Sequence, residues 1–268
     1  MKKIDSDELK RIELNLLIKF DEICKENEFK YFLCGGTLLG AIRHKGFIPW
    51  DDDIDVLMPR PDYEKLLKFY KENQVGDIRF VSWKTGDSIY PFLKLVNIKT
   101  KVKEKYLDDK YATNVWIDIF PLDGMPDNDR IIERKYKKIK FYKMLLMTAY
   151  SESGKGATWY AKRIKQLLIP LCKRMNVTKL CDKLNKIAME YSIETSPFVG
   201  GFLWGYGIQE KMPLEFLDCV EVEFEGHKFP APKCWDYYLK KLYGDYMALP
   251  PEEERRPHDF EAWWREEN

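Results

Sequence analysis

The sequence lacks the features of a membrane-spanning, secreted or cysteine-rich metal-binding protein. No stretch of its 268 residues approaches the roughly 18 apolar residues needed to cross a membrane. The opening MKKIDSDELK leads into a charged segment and not into the apolar centre of a signal peptide. The six cysteines form no CxxC pair and have no metal-ligand spacing with the three histidines. We therefore expect buried thiols and a cytoplasmic location.

Net charge is also nearly absent, but it is unevenly distributed. The chain carries +1, yet between Arg130 and Lys186 there are sixteen Lys or Arg residues and three acidic ones, which leaves +13. Such a segment suits anionic partners such as phosphates, nucleic acid or acidic lipid, or it presents solvated helix faces. Hydrophobic residues make up 45% and charged residues 33%, so the composition indicates a folded core and excludes a disordered chain.

The spacing of apolar residues predicts an α/β (α+β) fold. An amphipathic helix is expected from Asp5 to Glu28, with Asp5 and Glu8 as a capping pair. The predicted strands are Tyr31–Cys34, Asp53–Met58, Ile78–Trp83, Phe92–Ile98, Lys101–Tyr106 and Val115–Phe120, with a hairpin at Val220–Phe229. The further predicted helices are Thr37–His44, Asp62–Glu72, Asp127–Tyr150, Thr158–Met175, Val177–Tyr191 and Lys233–Leu242. With no repeat or flexible linker, we expect a catalytic core at 1–126, a basic helical elaboration at 127–200 and a C-terminal part at 201–268 that packs on the core and completes its site.

Three aspartates spaced by two lie in the segment PWDDDIDVLMP. Asp51, Asp53 and Asp55 alternate with apolar residues, and in a strand this spacing places the three carboxylates on one face and Asp52 on the other. Such side chains start roughly 6.5 to 7 Å apart at the backbone and can converge on divalent ions, for which Mg²⁺ or Mn²⁺ fits best. The alternative is a solvated turn in which Asp51 is a cap.

Two further segments favour a functional site over a solvated turn for this acidic cluster. In YFLCGGT, Gly35 and Gly36 would let backbone amides approach a phosphate at the start of a helix, or they form a plain tight turn. In VWIDIF, Asp118 is the one charged residue and is costly to bury unless it is paired, hydrogen-bonded or metal-bound, although it is otherwise a satisfied core aspartate. A glycine turn and helix, an Asp-x-Asp strand and a later single-Asp strand form, in this order, the pattern of the nucleotidyltransferase superfamily, with a mixed sheet flanked by helices. Asp53, Asp55 and Asp118 are the catalytic candidates, Asp118 for positioning or deprotonating an acceptor hydroxyl.

The segment YFLCGGTLLGAIRHKGFIPWDDDIDVLMPRPDYEKL resembles the signature of the LicD family, whose eukaryotic relatives include fukutin and fukutin-related protein. The resemblance continues in WIDIFPLDGMP and LYGDYMALPPEEERRPH and so spans nearly the whole chain. It implies metal-dependent transfer of a phospho-alcohol, phosphocholine first among them, from a CDP-activated donor to a sugar hydroxyl of a teichoic acid, lipopolysaccharide or capsule precursor.

The resemblance also implies roles for individual residues. Asp51, Asp53, Asp55 and Asp118 would hold Mg²⁺ or Mn²⁺. Those that would bind the nucleotide or its phosphates are Gly35, Gly36, Thr37, Arg43, His44 and Lys45, of which the last three are otherwise a basic helix end favoured by the helix dipole. Candidate substrate contacts are Trp50, Lys94, Trp204, Tyr243, Asp245 and His258. Aromatic faces bind quaternary ammonium groups, although such aromatics are more often core.

The sequence leaves several alternative activities open. The donor could carry ribitol or glycerol; a true nucleotidyltransferase would release pyrophosphate; an Asp-x-Asp motif also occurs in glycosyltransferases; and a binding subunit without activity would use the fold as a scaffold. The acceptor is expected to be a glycan or a lipid-linked glycan, and no nucleic acid is expected. Basic residues beside apolar ones in the helical segment, among them Lys162, Arg163, Lys165, Lys173 and Arg174, would allow peripheral association with the inner face of an anionic cell membrane.

Overall fold

The computed structural model describes residues 1–72, 76–104, 113–150, 169–170, 172–255 and 260–266, with the backbone alone at 70–72. Its strands are β1 (Lys2–Lys3), β2 (Phe32–Leu33), β3 (Asp55–Pro59), β4 (Ile78–Val81), β5 (Leu93–Glu104), β6 (Thr113–Met125), β7 (Phe198–Gly200), β8 (Met212–Pro213), β9 (Cys219–Phe224), β10 (His227–Pro232) and β11 (Phe260–Trp264). Its helices are α1 (Ser6–Glu26), α2 (Gly35–His44), α3 (Arg60–Glu72), α4 (Asp129–Tyr150), α5 (Val177–Ala188) and α6 (Trp235–Tyr243). The predicted α/β class is confirmed.

One large mixed sheet organises the described part of the chain. Its central strands run in the order β1-β11-β5-β6-β3-β2; β4 pairs with β5, β7 pairs with β6 and β8, and β9 and β10 form a separate hairpin. The strands β3 and β6 are parallel, whereas the other pairs are antiparallel. The first residue of β3 therefore lies beside the middle of β6, and these two neighbouring strands run in the same direction.

The helix α1 covers the sheet with the apolar face that its sequence predicts. Leu16, Leu17 and Phe20 are fully buried, as the spacing of three and four residues requires. The Asp5 carboxylate caps the helix by accepting a hydrogen bond from the Glu8 amide at 2.8 Å. The Glu8 carboxylate accepts one from the Trp264 indole at 2.9 Å, and so ties α1 to β11, the strand next to the edge strand β1.

The boundaries of the elements around the acidic segment differ from those predicted. The strand β3 begins at Asp55 and not at Asp53, because its ladder with β2 starts at Val56 and its ladder with β6 starts at Asp55. Asp51 and Asp53 therefore precede the strand, in a segment without the alternation that a strand imposes. The helix α2 begins at Gly35, so the two glycines form its first turn and not a turn before Thr37.

The two strands predicted at 92–98 and 101–106 form the single strand β5, in which the register shifts between Asn97 and Val102. Residues 105–106 lie outside the described residues, as does most of the helix predicted at 158–175, including Lys162, Arg163 and Lys165.

The basic helix α4 packs on α5 and buries apolar residues such as Ile132, Ile139 and Leu146. A buried ion pair joins the neighbouring elements: Arg60 Nε lies 2.7 Å from Asp123 Oδ1, and Arg60 Nη2 lies 2.9 Å from Asp123 Oδ2. No helix in the described ranges is long and apolar enough to cross a membrane.

Candidate active site

Two aspartates lie side by side where β3 and β6 run parallel. Asp55 is directly opposite Asp118 in the register of the two strands, and paired strands are about 4.8 Å apart. The Asp55 amide donates to Thr37 Oγ1 at 2.8 Å, and the Asp118 amide donates to the Ile54 carbonyl at 2.9 Å. The fold thus fixes both aspartates through their backbones, and the Thr37 hydroxyl serves to anchor Asp55.

The carboxylates of the acidic segment act on one another. Withdrawal from solvent raises the pKa of Asp55 well above its usual range, and the charges of Asp53, Asp118 and Asp51 raise it further, in that order, while Lys94 opposes the rise. Although Asp51 and Asp53 lie outside β3, they are thus close enough to Asp55 to disfavour its ionisation. A cation placed among these carboxylates would relieve their repulsion.

Lys94 supplies part of that positive charge. It lies on β5 directly opposite Asp118, and its Nζ is 3.0 Å from Asp118 Oδ1. The residue is 3% exposed, and Nζ lies 3.8 Å from the ring centroid of Trp116 and 4.2 Å from that of Tyr90. Because a buried ammonium group needs a counter-charge, Asp118 is the ion-pair partner of Lys94. Lys94, predicted as a substrate contact, therefore lies at the site and pairs with the second aspartate.

The glycines of α2 allow this helix to approach the acidic segment closely. A Cβ added at Gly36 would lie 2.5 Å from Asp51 Oδ2, and one added at Gly35 would lie 3.7 Å from Asp55 Oδ2. Gly35 also has a φ of 54°, which a glycine adopts without strain. Its amide donates to the Tyr238 hydroxyl at 3.2 Å. The N-terminus of α2, the acidic segment and β3 thus form one concave surface.

A cavity that is partly open to solvent begins at this surface. Its lining includes Gly35, Gly36 and Asp55. The loop after β7 and aromatic side chains contribute most of the remaining lining: Phe120, Gly201, Trp204, Gly205, Tyr206, Glu210 and Tyr238. The Trp204 ring lies parallel to the Phe120 ring, with their centroids 6.2 Å apart. The structure therefore brings the predicted contact residue Trp204 to the same cavity as Asp55.

The basic residues predicted to bind the donor phosphates lie at the other end of α2. From Gly35 to Arg43 the helix rises about 12 Å. Arg43 Nη1 donates to the Tyr246 carbonyl at 2.8 Å, and Arg43 Nε donates to His44 Nε2 at 2.9 Å. Burial lowers the pKa of both groups, and Lys45 is exposed. Arg43 holds the loop after α6, and these three residues do not join Gly35 at the cavity.

The remaining predicted contacts are divided between the cavity and its surroundings. The Tyr243 hydroxyl lies 3.9 Å from the position of a Cβ on Gly35 and so belongs to the cavity region. The Trp50 ring lies 6.0 Å from the guanidinium carbon of Arg43 and 5.0 Å from that of Arg255. Asp245 is exposed in the loop after α6, and His258 lies outside the described residues.

Two buried glutamates near the site were not predicted. Glu210 ends a short 3-10 turn at Ile208–Glu210 and is 5% exposed. Glu13 on α1 is 3% exposed; burial and then the charges of Asp53 and Asp52 raise its pKa, and its Oε2 has no hydrogen-bond partner among the described residues. Asp52, predicted to point away from the site, is itself buried and acts on Glu13. In the sequence, Glu13 lies next to the apolar residues of α1. A charged residue in that position is common in amphipathic helices, so the helix pattern alone did not indicate that Glu13 is buried.

The donor set fits a divalent metal ion only in part. In the described ranges, no three His, Cys, Asp or Glu side chains lie close enough together to hold an ion by themselves. Asp55 and Asp118 nevertheless provide two neighbouring carboxylates, and Mg²⁺ is commonly bound by one or two carboxylates together with substrate phosphates and water. The pair therefore suits a metal ion whose coordination is completed by a bound phosphate. That Asp51, Asp53, Asp55 and Asp118 all coordinate the ion stays a prediction.

Comparison with known proteins identifies the family. The model of the LicD/FKTN/FKRP nucleotidyltransferase domain matches residues 28–146, which include Gly35, Asp55 and Asp118. The lipopolysaccharide cholinephosphotransferase LicD of Haemophilus influenzae is 30% identical over 272 residues, which cover 97% of this chain and 98% of that protein. An uncharacterised protein of Rickettsia typhi is 37% identical over 51% of this chain and 43% of its own length, and one of Rickettsia prowazekii is 44% identical over 43% and 42%. The chain therefore belongs to the LicD family and is a LicD-like phosphotransferase.

Proposed function

We propose that the protein transfers phosphocholine from CDP-choline to a sugar hydroxyl of a cell-surface glycan precursor, in a reaction that depends on a divalent metal ion. One observation carries the proposal: Asp55 and Asp118 lie in register beside the N-terminus of α2, in a chain that is similar along its whole length to a lipopolysaccharide cholinephosphotransferase. The acceptor is accordingly a lipopolysaccharide, teichoic acid or capsule precursor, free or linked to lipid.

In this reaction the acceptor oxygen attacks the phosphorus that bears choline. The bond from that phosphorus to the oxygen bridging to CMP breaks, and CMP leaves with the bonding electrons. The proton of the acceptor hydroxyl passes to a base, for which Asp118 is the candidate. The Lys94 ammonium group, 3.0 Å from Asp118 Oδ1, would hold this carboxylate in place for that role.

The donor phosphates would lie between the first turn of α2 and the two aspartates. Gly35, Gly36 and Thr37 are in that first turn, where the helix dipole favours an anion. Asp55 and Asp118 would hold Mg²⁺ or Mn²⁺, with Asp51 and Asp53 contributing from the preceding segment. A bound divalent cation offsets negative charge on the transferred and leaving phosphates.

The proposal includes association with the inner face of the cell membrane, where a lipid-linked acceptor would be found. Its support is the basic segment, of which the described part includes the helix α4. Sedimentation with liposomes tests this point: binding should increase with the fraction of anionic lipid, and equal binding to neutral liposomes would contradict it.

The main test measures CMP released by the purified protein from CDP-choline in the presence of a glycan acceptor. Release should require both the acceptor and Mg²⁺ or Mn²⁺, and should stop on addition of a chelator. Asp55→Asn should abolish release. Asp218→Asn should not, because Asp218 is exposed and lies just before the hairpin strand β9.

Other outcomes would replace the proposal. Release of pyrophosphate from CTP would identify a true nucleotidyltransferase. CMP release from CDP-glycerol or CDP-ribitol, and none from CDP-choline, would identify a polyol-phosphate transferase. If calorimetry detected binding of neither Mg²⁺ nor nucleotide, the chain would be a binding subunit without activity.

A further inference from the structure

A buried carboxylate that forms no ion pair in the described part of the chain lines the same cavity as Asp55. Glu210 is 5% exposed, and its Oε1 accepts a hydrogen bond from the Tyr206 amide at 3.1 Å. In the described part of the chain no Lys, Arg or His forms an ion pair with it; the ammonium group of Lys241, which acts on it from a distance, donates to the Lys211 carbonyl. Burial raises the pKa of Glu210 to about 7. A positive charge in the cavity would offset the cost of ionising this buried group.

Aromatic rings surround the same part of the cavity. Phe120, Trp204 and Tyr206 line it together with Glu210. Lys143 Nζ lies 3.7 Å from the ring centroid of Trp204, so this ring is already in cation–π contact with one ammonium group. Rings beside a buried carboxylate are the surroundings that a quaternary ammonium group requires, since it offers no hydrogen bonds and binds through charge and its methyl groups.

Different residues of the cavity lining therefore favour charges of opposite sign. The first turn of α2 and a metal ion held by the aspartates favour a phosphate. Glu210 and the aromatic rings favour a cation. Phosphocholine carries a phosphate and a quaternary ammonium group two carbons apart, whereas the phosphates of glycerol and ribitol carry only neutral hydroxyl groups in that place.

We infer that Phe120, Trp204, Tyr206 and Glu210 form an ammonium wall, which binds the quaternary ammonium group of the transferred phospho-alcohol and selects choline over glycerol and ribitol. The inference rests on the proposed function and adds to it the residues that determine the choice of alcohol. Glu210 supplies the charge, and the three rings supply the surface that contacts the methyl groups.

The change Glu210→Gln separates this role from a structural one. Glutamine has the size of glutamate and keeps an oxygen that can accept from the Tyr206 amide, so the loop after β7 keeps its hydrogen bond. Only the negative charge is lost. A purely structural glutamate would therefore tolerate the change, and an ammonium-binding one would not.

The experiment compares two ligands that differ in charge alone. Calorimetry measures the binding of phosphocholine, and of its dimethylbutyl analogue with carbon in place of nitrogen, to the full chain with Mg²⁺. The wild type should prefer phosphocholine, and Glu210→Gln should lower that preference by about tenfold while leaving the affinity for the neutral analogue unchanged.

A second pair of variants tests the aromatic part of the ammonium wall. Tyr206→Leu should lower the preference for phosphocholine by about threefold to tenfold. Tyr206 is largely exposed, so its loss should leave the fold intact. Tyr237→Leu is the matched control, because Tyr237 is another exposed tyrosine, on α6, that does not line the cavity. It should leave the preference as in the wild type.

The outcomes distinguish the inference from the proposed function. If the wild type releases CMP from CDP-choline but Glu210→Gln keeps its preference, or loses affinity for both ligands equally, the function stands and the ammonium wall is refuted. If the wild type shows no preference for phosphocholine and releases CMP only from CDP-glycerol or CDP-ribitol, both are refuted.

Discussion

Replacing Lys94 by methionine should weaken the fold and make its stability depend more strongly on Mg²⁺. Methionine keeps most of the length of the side chain beside the rings of Trp116 and Tyr90, but it removes the ammonium group that lies 3.0 Å from Asp118 Oδ1. The variant Lys94→Met therefore leaves Asp118 and its neighbour Asp55 without the cation that opposes their repulsion.

The size of the effect follows from the burial of the pair. Removing one partner of a buried ion pair costs about 3 to 5 kcal/mol, because the other charge stays behind without compensation. The lower end applies here, since the Asp118 side chain is 14% exposed and retains some contact with water. A loss of about 3 kcal/mol lowers the midpoint of thermal unfolding by roughly 6 to 12 °C in a chain of about this size. An ion bound between Asp55 and Asp118 would replace the missing charge, so Mg²⁺ should raise the midpoint of Lys94→Met more than that of the wild type.

Thermal unfolding followed by circular dichroism, with chelator or with saturating Mg²⁺, measures both effects. Arg60→Met is the matched control, because Arg60 forms an equally buried pair with Asp123 at 2.7 Å that does not line the cavity. Arg60→Met should lose a similar free energy of unfolding. Mg²⁺ should raise its unfolding midpoint no more than it raises that of the wild type. Unfolding of Lys94→Met at the wild-type midpoint, or an equal shift of both variants by Mg²⁺, would refute this role of Lys94.

Three further predictions concern the acidic segment and Glu210. Asp55→Asn should lower CMP release by at least about 100-fold and raise the midpoint of unfolding without metal, because it removes a half-buried carboxylate from a repelling cluster; a lower midpoint in differential scanning calorimetry would contradict this. Gly36→Ala should lower CMP release while keeping the far-ultraviolet circular dichroism spectrum, because the added Cβ would lie 2.5 Å from Asp51 Oδ2; unchanged turnover would show that Asp51 is dispensable. Burial raises the pKa of Glu210 from 4.5 to about 7. The folded protein therefore holds the proton of Glu210 more tightly than the unfolded chain does. The resulting contribution to the free energy of unfolding is complete below pH 4.5 and is lost as the pH rises through 7. Relative to Glu210→Gln, the wild type should therefore lose on the order of 3 kcal/mol of unfolding free energy between pH 4.5 and 8 in urea titrations, and parallel profiles would refute this.

The fold was predictable from the sequence where periodicity was strong and local. The helices α1 and α4 and the hairpin of β9 and β10 follow from spacing and turn residues within a few residues of their predicted bounds. The strand at Asp53 was misplaced because alternation of aspartates with apolar residues looks like a strand, although pairing partners decide where a strand begins. Those partners come from β2 and β6, 20 or more residues away in the chain, and local sequence does not reveal their register.

The candidate site was predictable where a polar residue interrupts an apolar segment, as Asp118 does. Its pairing with Lys94 was not, because it depends on the register of β5 against β6. Glu210 was missed for a related reason: its burial arises when the loop after β7 folds against the cavity, and its local sequence, in a short 3-10 turn, is that of an exposed residue. Arg43 was predicted to bind phosphate because it lies in the family motif. In the structure it lies at the far end of α2 from the cavity and donates hydrogen bonds to backbone carbonyls.

The charges around the cavity imply that donor and metal bind cooperatively. Under the proposed function the diphosphate lies beside Asp51, Asp53, Asp55 and Asp118, whose charges Lys94 opposes. A diphosphate alone would be repelled there, and the described side chains alone do not complete the coordination of an ion. Each ligand therefore supplies what the other lacks, and thermodynamic linkage requires that each raise the affinity for the other by the same factor. CDP-choline should accordingly bind at least about tenfold more weakly to the metal-free protein, and Mg²⁺ should bind more weakly by the same factor without the donor; equal donor affinity with and without metal, measured by calorimetry, would show that the aspartates do not lie near the phosphates.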